Sequence, residues 1–231
     1  MHQFGYVYAL QLELLRGDRS NWFRAVELWH TARHNGVAMN VDHYNNILRQ
    51  CVAPGKWVQG MEVLKRMKLD STRPDVVSVG CVLAACAMDA EWNSALVLLS
   101  RFEKKILLDS NCYSAVMQAA NRAGQHNIAA SVFAEQERRR IPILSASCVQ
   151  LLEAGEKGGV PELVYIGVKK MHEGGWNVTA MHCSKLQLCY STHLEREALE
   201  LEKLIDLPRS LPAYRYTVVK QLGVFHIFFA E

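Results

Sequence analysis

Hydrophobic residues recur along this chain at helical spacing, and the helices that they predict come in pairs. In the segment 41–75, the first apolar face has the spacing i, i+3, i+4 and i+7, with the residues Tyr44, Ile47, Leu48 and Cys51. The second face repeats that spacing with Gly60, Val63, Leu64 and Met67. Pro54 and Gly55 form a turn between the faces, and Pro74 ends the second helix because proline cannot continue it. The segment is therefore predicted to be a helix–turn–helix unit.

The same unit recurs, and matched columns of small and large residues recur with it. Five segments open at intervals of 35, 34, 35 and 35 residues, at Tyr44, Val79, Tyr113, Cys148 and Cys183. Two columns hold mostly small residues: Cys51, Cys86, Ala120 and Gly155, then Gly60, Ala95, Ala129 and Val164. A third column holds large apolar residues: Leu64, Leu99, Phe133 and Val168. Small residues allow close helix approach and large ones fill the space between helices, so neighbouring units are predicted to stack.

A helix–turn–helix unit repeated at this period predicts an all-α fold, an α-solenoid in which each repeat contacts its neighbours. We assign six repeats over residues 6–207, with the bounds 6–40, 41–75, 76–109, 110–144, 145–179 and 180–207. The upstream copy matches the frame at Ala9, Arg16, Ala25 and Trp29. Residues 208–231 are predicted to form a partial repeat or a partner-binding tail.

The motifs of these repeats resemble the pentatricopeptide repeat family. The matching residues of the second repeat are Val41, Tyr44-Asn45, Cys51, Gly55, Met67 and Pro74-Asp75. Those of the fourth repeat are Tyr113-Ser114, Gly124, Ala129, Phe133 and Ile141. The resemblance covers most of the chain and implies a right-handed superhelix of helical hairpins. A tetratricopeptide array or another α-solenoid is the alternative, although the tetratricopeptide Trp, Leu-Gly and Pro positions fit these columns less well.

The resemblance also implies where RNA would bind. In such repeats one base is read by a few side chains, and in this family the key pair is the residue after the opening aromatic and the last residue of the repeat. The pairs carried over are Asn45 with Asp75, Gly80 with Asp109, Ser114 with Leu144, Val149 with Thr179 and, upstream, Leu10 with Asn40. Only the first is a good family pair, one that implies a preference for uracil. Because each of the other four pairs has one residue without a hydrogen-bonding side chain, we expect shape and backbone contacts with little base readout.

Three basic residues are candidate phosphate contacts. Arg122 and Lys157 lie two turns after the base-reading position, and Arg49 lies one turn after Asn45. The alternative is that they are ordinary solvated side chains. The predicted RNA-binding residues are therefore Asn45, Asp75, Arg49, Asp109, Ser114, Arg122 and Lys157. Basic runs near the ends of second helices predict either helix-dipole partners or an outer basic face: Lys65-Arg66, Lys104-Lys105, Arg138-Arg139-Arg140 and Lys169-Lys170.

Composition limits the remaining possibilities. The formal net charge is +3, from 26 Lys and Arg against 23 Asp and Glu, so any RNA contact should be local rather than driven by overall charge. The seven cysteines are odd in number and several fall on core columns, which predicts reduced, buried thiols in an intracellular compartment. His182, Cys183, Cys189 and His193 lie close in sequence but lack metal-ligand spacing, so we expect no metal and no cofactor.

No catalytic motif is recognisable, whether a phosphate loop, a nucleophile elbow or HExxH, so we expect a protein that is not an enzyme. We expect no membrane segment, because the longest apolar run, 224–230, is too short. The N-terminal residues do not have the composition of a transit peptide. The apolar end around Phe225 and the uncapped first repeat predict partner surfaces at both ends of the solenoid.

Together with the family resemblance, these features predict a non-catalytic RNA-binding scaffold of a mitochondrial ribonucleoprotein. The mitochondrial ribosome, in the matrix, is the expected home, with single-stranded or irregular rRNA and neighbouring proteins as partners. Two alternatives stay open. One is an organellar factor for processing, editing or stability of particular transcripts. The other is a protein–protein adaptor of the tetratricopeptide kind that makes no RNA contact.

Overall fold

The structure is a computed structural model that describes residues 22–37 and 39–176. Over these residues the chain forms nine α-helices and no strand, which confirms the predicted all-α fold. The helices are α1 (Trp22–His34), α2 (Val41–Val52), α3 (Trp57–Leu69), α4 (Val76–Met88), α5 (Trp92–Phe102), α6 (Ser110–Arg122), α7 (His126–Arg138), α8 (Ser145–Gly158) and α9 (Pro161–Glu173). Helix α1 is the second helix of the predicted repeat 6–40. The predicted sixth repeat, the tail and the His182–His193 segment lie outside the described residues.

Helices α2 to α9 form four hairpins, and the turn inside each hairpin contains one residue in the left-handed region. That residue is Gly55, Gly124 or Gly159 in three hairpins, with φ of 65°, 74° and 68°. Glycine suits this conformation because it has no Cβ to clash with the backbone. The remaining hairpin has Ala90 there, with φ of 58°. The turn geometry is thus shared by all four hairpins, while the residue that favours it is present in three.

The hairpins stack so that each first helix contacts the first helices of the adjacent repeats. Contacts join α2 with α4, α4 with α6, and α6 with α8. Each second helix packs against the first helix of its own hairpin, and α3, α5 and α7 also pack against the first helix of the next. One hydrophobic core runs from Ala25 to Ala154 through these contacts. This arrangement, in which repeats contact only their neighbours, is the α-solenoid that the repeat period predicts.

The three columns found in the sequence are all buried. Tyr44 and Tyr113, which open two repeats, are fully buried. The small columns mark close approaches: a Cβ added at Gly155 would lie 2.7 Å from Cγ2 of Val164 and 2.8 Å from the Val164 backbone nitrogen. A Cβ added at Gly60 would lie 3.1 Å from Cγ2 of Val82 in the next repeat. Small residues are therefore needed where two helices of the stack touch.

The five described cysteines are free thiols that face the core. Four are buried and Cys81 is half-buried. Burial raises the pKa of Cys51 and Cys81 to about 11, and that of Cys86 and Cys112 to about 12. These thiols are therefore protonated at neutral pH and act as small apolar side chains in the packing.

Candidate nucleic-acid interface

The last residue of a repeat is the N-cap of the next first helix. Asp75 Oδ1 accepts a 2.8 Å hydrogen bond from the backbone N–H of Ser78, and Asp109 Oδ1 accepts one of 3.0 Å from Cys112. Asn40 caps α2 in the same way through the backbone N–H of His43, at 2.9 Å. Such caps satisfy N–H groups that have no partner inside the helix. A base-reading role for Asp75 or Asp109 would thus be added to a structural one.

Asn45 and Asp75, the best predicted base-reading pair, are brought together by the fold. The Asn45 amide nitrogen donates to both carboxylate oxygens of Asp75, at 3.3 and 3.2 Å. The amide oxygen of Asn45 accepts a 2.6 Å hydrogen bond from the Ser78 hydroxyl. Asn45 is only 3% exposed, so its donor and its acceptor are both engaged between two repeats. Reading a base through Asn45 would require this triad to open.

Ser78 was missed as a site residue in the sequence, although its signal was present. It stands three residues after Asp75 at the start of an apolar helix, which is the spacing of a capping box. Its hydroxyl accepts a 3.3 Å hydrogen bond from the backbone N–H of Asp75 and donates to Asn45. The capping role is readable from that spacing. The bond to Asn45 crosses to the preceding repeat and is not.

The predicted phosphate contacts differ in how far they are already engaged. Arg122 Nη1 donates to the backbone carbonyls of Met88 and Ala87 at 2.9 and 3.2 Å, which caps the C-terminus of α4. Lys157 Nζ lies 2.6 Å from Glu153 Oε1 on its own helix. Arg49 is exposed, and its Nη1 donates a 2.9 Å hydrogen bond to the Asn46 side chain. Of the three, Arg49 is the one that has neither an anionic partner nor a backbone-carbonyl partner among the described residues.

The other base-reading positions offer little for hydrogen bonding. The Ser114 hydroxyl donates to the backbone carbonyl of Asn111 at 3.1 Å. Leu144 and Val149 are 40% and 42% exposed and apolar. Gly80 faces Cys112, whose Sγ would lie 3.6 Å from an added Cβ. RNA contact by Ser114 and Asp109 stays a prediction, as it does for the other five residues of that set.

Side-chain hydrogen bonds join the first helices of adjacent repeats, so these helices share one surface. Asn121 at the end of α6 donates to the backbone carbonyl of Gln150 at 2.8 Å and to its side-chain oxygen at 3.1 Å. Together with the Asn45 and Arg122 contacts, such bonds join every adjacent pair of first helices from α2 to α8. The exposed sides of these helices therefore form a continuous face of fixed spacing, with one first helix for each repeat.

Neither a metal site nor a membrane helix is found in the described part of the chain. Residues 22–37 and 39–176 contain no group of three or more His, Cys, Asp or Glu side chains that could hold a metal ion. None of the helices in those residues is both long and apolar enough to cross a membrane.

Comparison with known proteins identifies the family. The protein-family model for the pentacotripeptide-repeat region of PRORP matches residues 10–191 of this chain. The chain belongs to the pentatricopeptide repeat (PPR) family. A search of curated proteins gives no match to the sequence.

Solved PPR structures share the fold of this chain. The PPR domain of Arabidopsis thaliana protein-only RNase P 1, solved in complex with tRNA, has a TM-score of 0.71 and 16% identity, over 82% of this chain and 100% of that one. A. thaliana nuclear RNase P 2 has a TM-score of 0.66 and 17% identity, over 79% of this chain and 41% of that one. PPR10 in complex with an 18-nucleotide psaJ RNA element has a TM-score of 0.60 and 21% identity, over 90% of this chain and 29% of that one. The PPR chain thus spans less than half the length of the last two.

Proposed function

We propose that this PPR protein binds RNA along the continuous face of its first helices. The observation that carries the proposal is the face itself, which presents one first helix per repeat at a spacing fixed by contacts between neighbouring repeats. Repeat proteins use such extended surfaces for binding. Two solved PPR structures that share this fold were determined with RNA bound.

The mode of binding that we propose is scaffold-like, with weak base selectivity. Asn45 is buried and bonded to Asp75 and Ser78, so its amide edge is not free to meet a base. The equivalent residues in the next repeats are Gly80, Ser114 and Val149. Among these only Ser114 has a hydrogen-bonding side chain, and its hydroxyl is bonded to its own helix. Backbone and shape contacts, which carry no direct sequence information, then dominate.

The wider role that we propose is a non-catalytic subunit of a mitochondrial ribonucleoprotein. The mitochondrial ribosome, in the matrix, fits a protein with a degraded base-reading set and +3 net charge, which needs neighbouring proteins as well as rRNA to be held in place. The apolar segment around Phe225 at the end of the sequence supplies one such protein contact.

Crosslinking in the native organelle tests this proposal. The tagged protein is crosslinked to RNA, the bound RNA is sequenced, and the lysate is run on a sucrose gradient. Crosslinks confined to rRNA, with sedimentation at a ribosomal subunit, are expected. Crosslinks to a few messenger transcripts away from ribosomes would replace the scaffold with a processing, editing or stability factor. A lack of RNA crosslinks would leave a protein–protein adaptor.

A binding assay with the purified chain tests the face itself. Arg49→Glu is expected to weaken binding of single-stranded RNA, because Arg49 is exposed on α2 without an anionic partner in the described residues. Arg24→Glu is the matched control, since Arg24 is exposed on α1, a second helix. Equal losses in the two variants would contradict binding on the first-helix face.

A further inference from the structure

The last turns and C-caps of the second helices carry ion pairs between neighbouring repeats. Arg33 Nε lies 3.8 Å from Asp70 Oδ2, between the first and second repeats. Glu103 Oε1 lies 2.9 Å from Arg139 Nη2, between the third and fourth. Glu137 pairs with Lys170 at 2.9 Å between the fourth and fifth. We call this series the inter-repeat ladder. It contains a pair at three of the four described junctions.

The repeat register shows what stands at the fourth junction. Lys68 lies 35 residues after Arg33 and 35 before Glu103, and Lys105 lies 35 after Asp70 and 34 before Arg139. The junction of the second and third repeats thus holds two lysines where the equivalent junctions hold a cation and an anion. Both are exposed, and neither forms an ion pair with any residue in the described segments.

The carboxylates nearest in sequence are already engaged. Asp70 binds Arg66 Nη2 at 2.9 Å, Arg33, and the Tyr44 hydroxyl. Glu103 is bonded to Arg139 and is 13% exposed. Asp70 and Glu103, which pair with arginines at the neighbouring junctions, are therefore not available to neutralise the two lysines. Lys104 and Arg101, both exposed, add to the same end of α5.

We propose that Lys68 and Lys105 form a second RNA contact, which binds backbone phosphates at the outer edge of the solenoid and apart from the first-helix face. The inference rests on the proposed RNA binding and adds a surface to it. Phosphate is the ligand that fits, because lysine binds it as a flexible point charge and releases counterions in doing so. A chain with only +3 net charge needs local sites of this kind. RNA would then be held on two sides of the second and third repeats.

A charge-swap cycle tests the geometry without any ligand. Lys68→Glu and Lys105→Glu should each complete the missing pair, so each single variant of the full chain is expected to raise Tm by about 1–3 °C. The double variant restores like charges and should return Tm to near the value of the unmodified chain. If neither single variant raises Tm, or if the two changes simply add, the lysines do not face each other and the proposal is overturned.

The binding test uses a mixed-sequence single-stranded RNA with a fluorescent label, titrated at several salt concentrations. Lys68→Glu/Lys105→Glu should weaken binding. It should also make the negative slope of log K against log salt shallower by about 0.7 for each lost contact. Lys65→Glu/Lys169→Glu is the matched control. Both of its lysines are exposed on second helices outside the ladder, and the double change alters the net charge by the same amount.

The possible outcomes separate this inference from the proposed function. Equal effects of the two double variants, with Arg49→Glu still weakening RNA binding, would overturn the outer contact alone. Absence of RNA binding by the unmodified chain would overturn both. Binding of labelled polyglutamate through Lys68 and Lys105, with RNA binding unaffected by the double variant, would assign the site to an acidic protein and overturn the RNA contact.

Discussion

Tyr44, near the start of α2, and Asp70, just after the end of α3, meet at the same end of one helical hairpin, where the Tyr44 hydroxyl donates a 2.5 Å hydrogen bond to the Asp70 carboxylate. Asp70 also pairs with Arg33 of the preceding repeat. Burial, with a further contribution from Asp70, raises the pKa of Tyr44 to about 12, so the hydroxyl remains a donor at all physiological pH values. One buried tyrosine thereby connects the start of a first helix, the end of its partner helix and the adjacent repeat.

Tyr44→Phe should remove this connection while it keeps the packing of the ring. We expect a loss of about 1–2 kcal/mol in the free energy of unfolding, because Asp70 loses a hydrogen bond from a buried donor. Denaturant unfolding followed by circular dichroism measures it. Tyr113→Phe is the control, since the residue 26 positions on is Arg139, which cannot accept a hydrogen bond. Equal losses in the two variants would show that the Asp70 bond contributes nothing specific.

Acid should weaken the last turn of α7 through Glu135. Hydrogen bonds from Arg138 and Arg139 lower the pKa of this carboxyl from 4.5 to about 2. Because the folded-state pKa is depressed, the stabilisation is fully present above pH 4.5 and is lost as pH falls towards 2. Glu135→Gln should therefore flatten the pH dependence of the unfolding free energy in that window and nowhere else. An unchanged pH profile for the variant would remove Glu135 as a source of acid sensitivity.

The fold was predictable from the sequence because burial follows two periods at once. Tyr44 and Leu64 are core residues by helical spacing, and their equivalents one repeat later are core residues by register. The site was predictable only in part. The pairing of Asn45 with Asp75 follows from the family pattern. The hydrogen bond from the Ser78 hydroxyl to the Asn45 amide oxygen joins two repeats. A linear sequence pattern does not show which side chains meet across repeats.

The basic residues show the same limit. Arg122 was predicted to meet phosphate from its place in the repeat, and that prediction stays untested. The structure shows it bonded to the Met88 carbonyl of the preceding first helix. A sequence shows where a guanidinium lies along a helix. Whether it meets a neighbouring helix end or solvent is set by the stacking of the repeats.

Arg122→Met separates the two roles. If the guanidinium caps α4, the variant should lose about 1–2 kcal/mol of unfolding free energy, near the lower end of the values for hydrogen bonds from a charged donor because Arg122 is exposed. Lys157→Met is the control, because within the described residues Lys157 forms an ion pair only with Glu153 on its own helix, and such a pair contributes about 0.3–0.5 kcal/mol. Unchanged stability of Arg122→Met, measured by denaturant unfolding, would contradict the capping role.

Ala90→Gly should stabilise the chain. Ala90 has φ of 58° at a turn position that is glycine in the other three described hairpins. The left-handed conformation costs a residue with a Cβ about 1–2 kcal/mol, whereas glycine loses more entropy on folding, about 0.4–1 kcal/mol. The difference predicts a gain of roughly 0.5–1 kcal/mol, which thermal and denaturant unfolding both measure. Gly124→Ala, the reverse change at the equivalent turn, should lose a similar amount, and a gain there would contradict the argument.

Two glycines inside helices give opposite predictions for the same substitution. A Cβ at Gly155 would lie 2.8 Å from the Val164 backbone nitrogen and 2.9 Å from the Val160 carbonyl oxygen, and backbone atoms cannot move aside without separating α8 from α9. Gly155→Ala should therefore cost about 1–3 kcal/mol despite the better helix propensity of alanine. At Gly80 the nearest atom to an added Cβ is Cys112 Sγ at 3.6 Å, an ordinary contact. Gly80→Ala should instead gain up to about 1 kcal/mol. Unfolding of the two variants in parallel decides the matter, because propensity alone predicts a gain at both positions and close packing predicts a loss at Gly155 only.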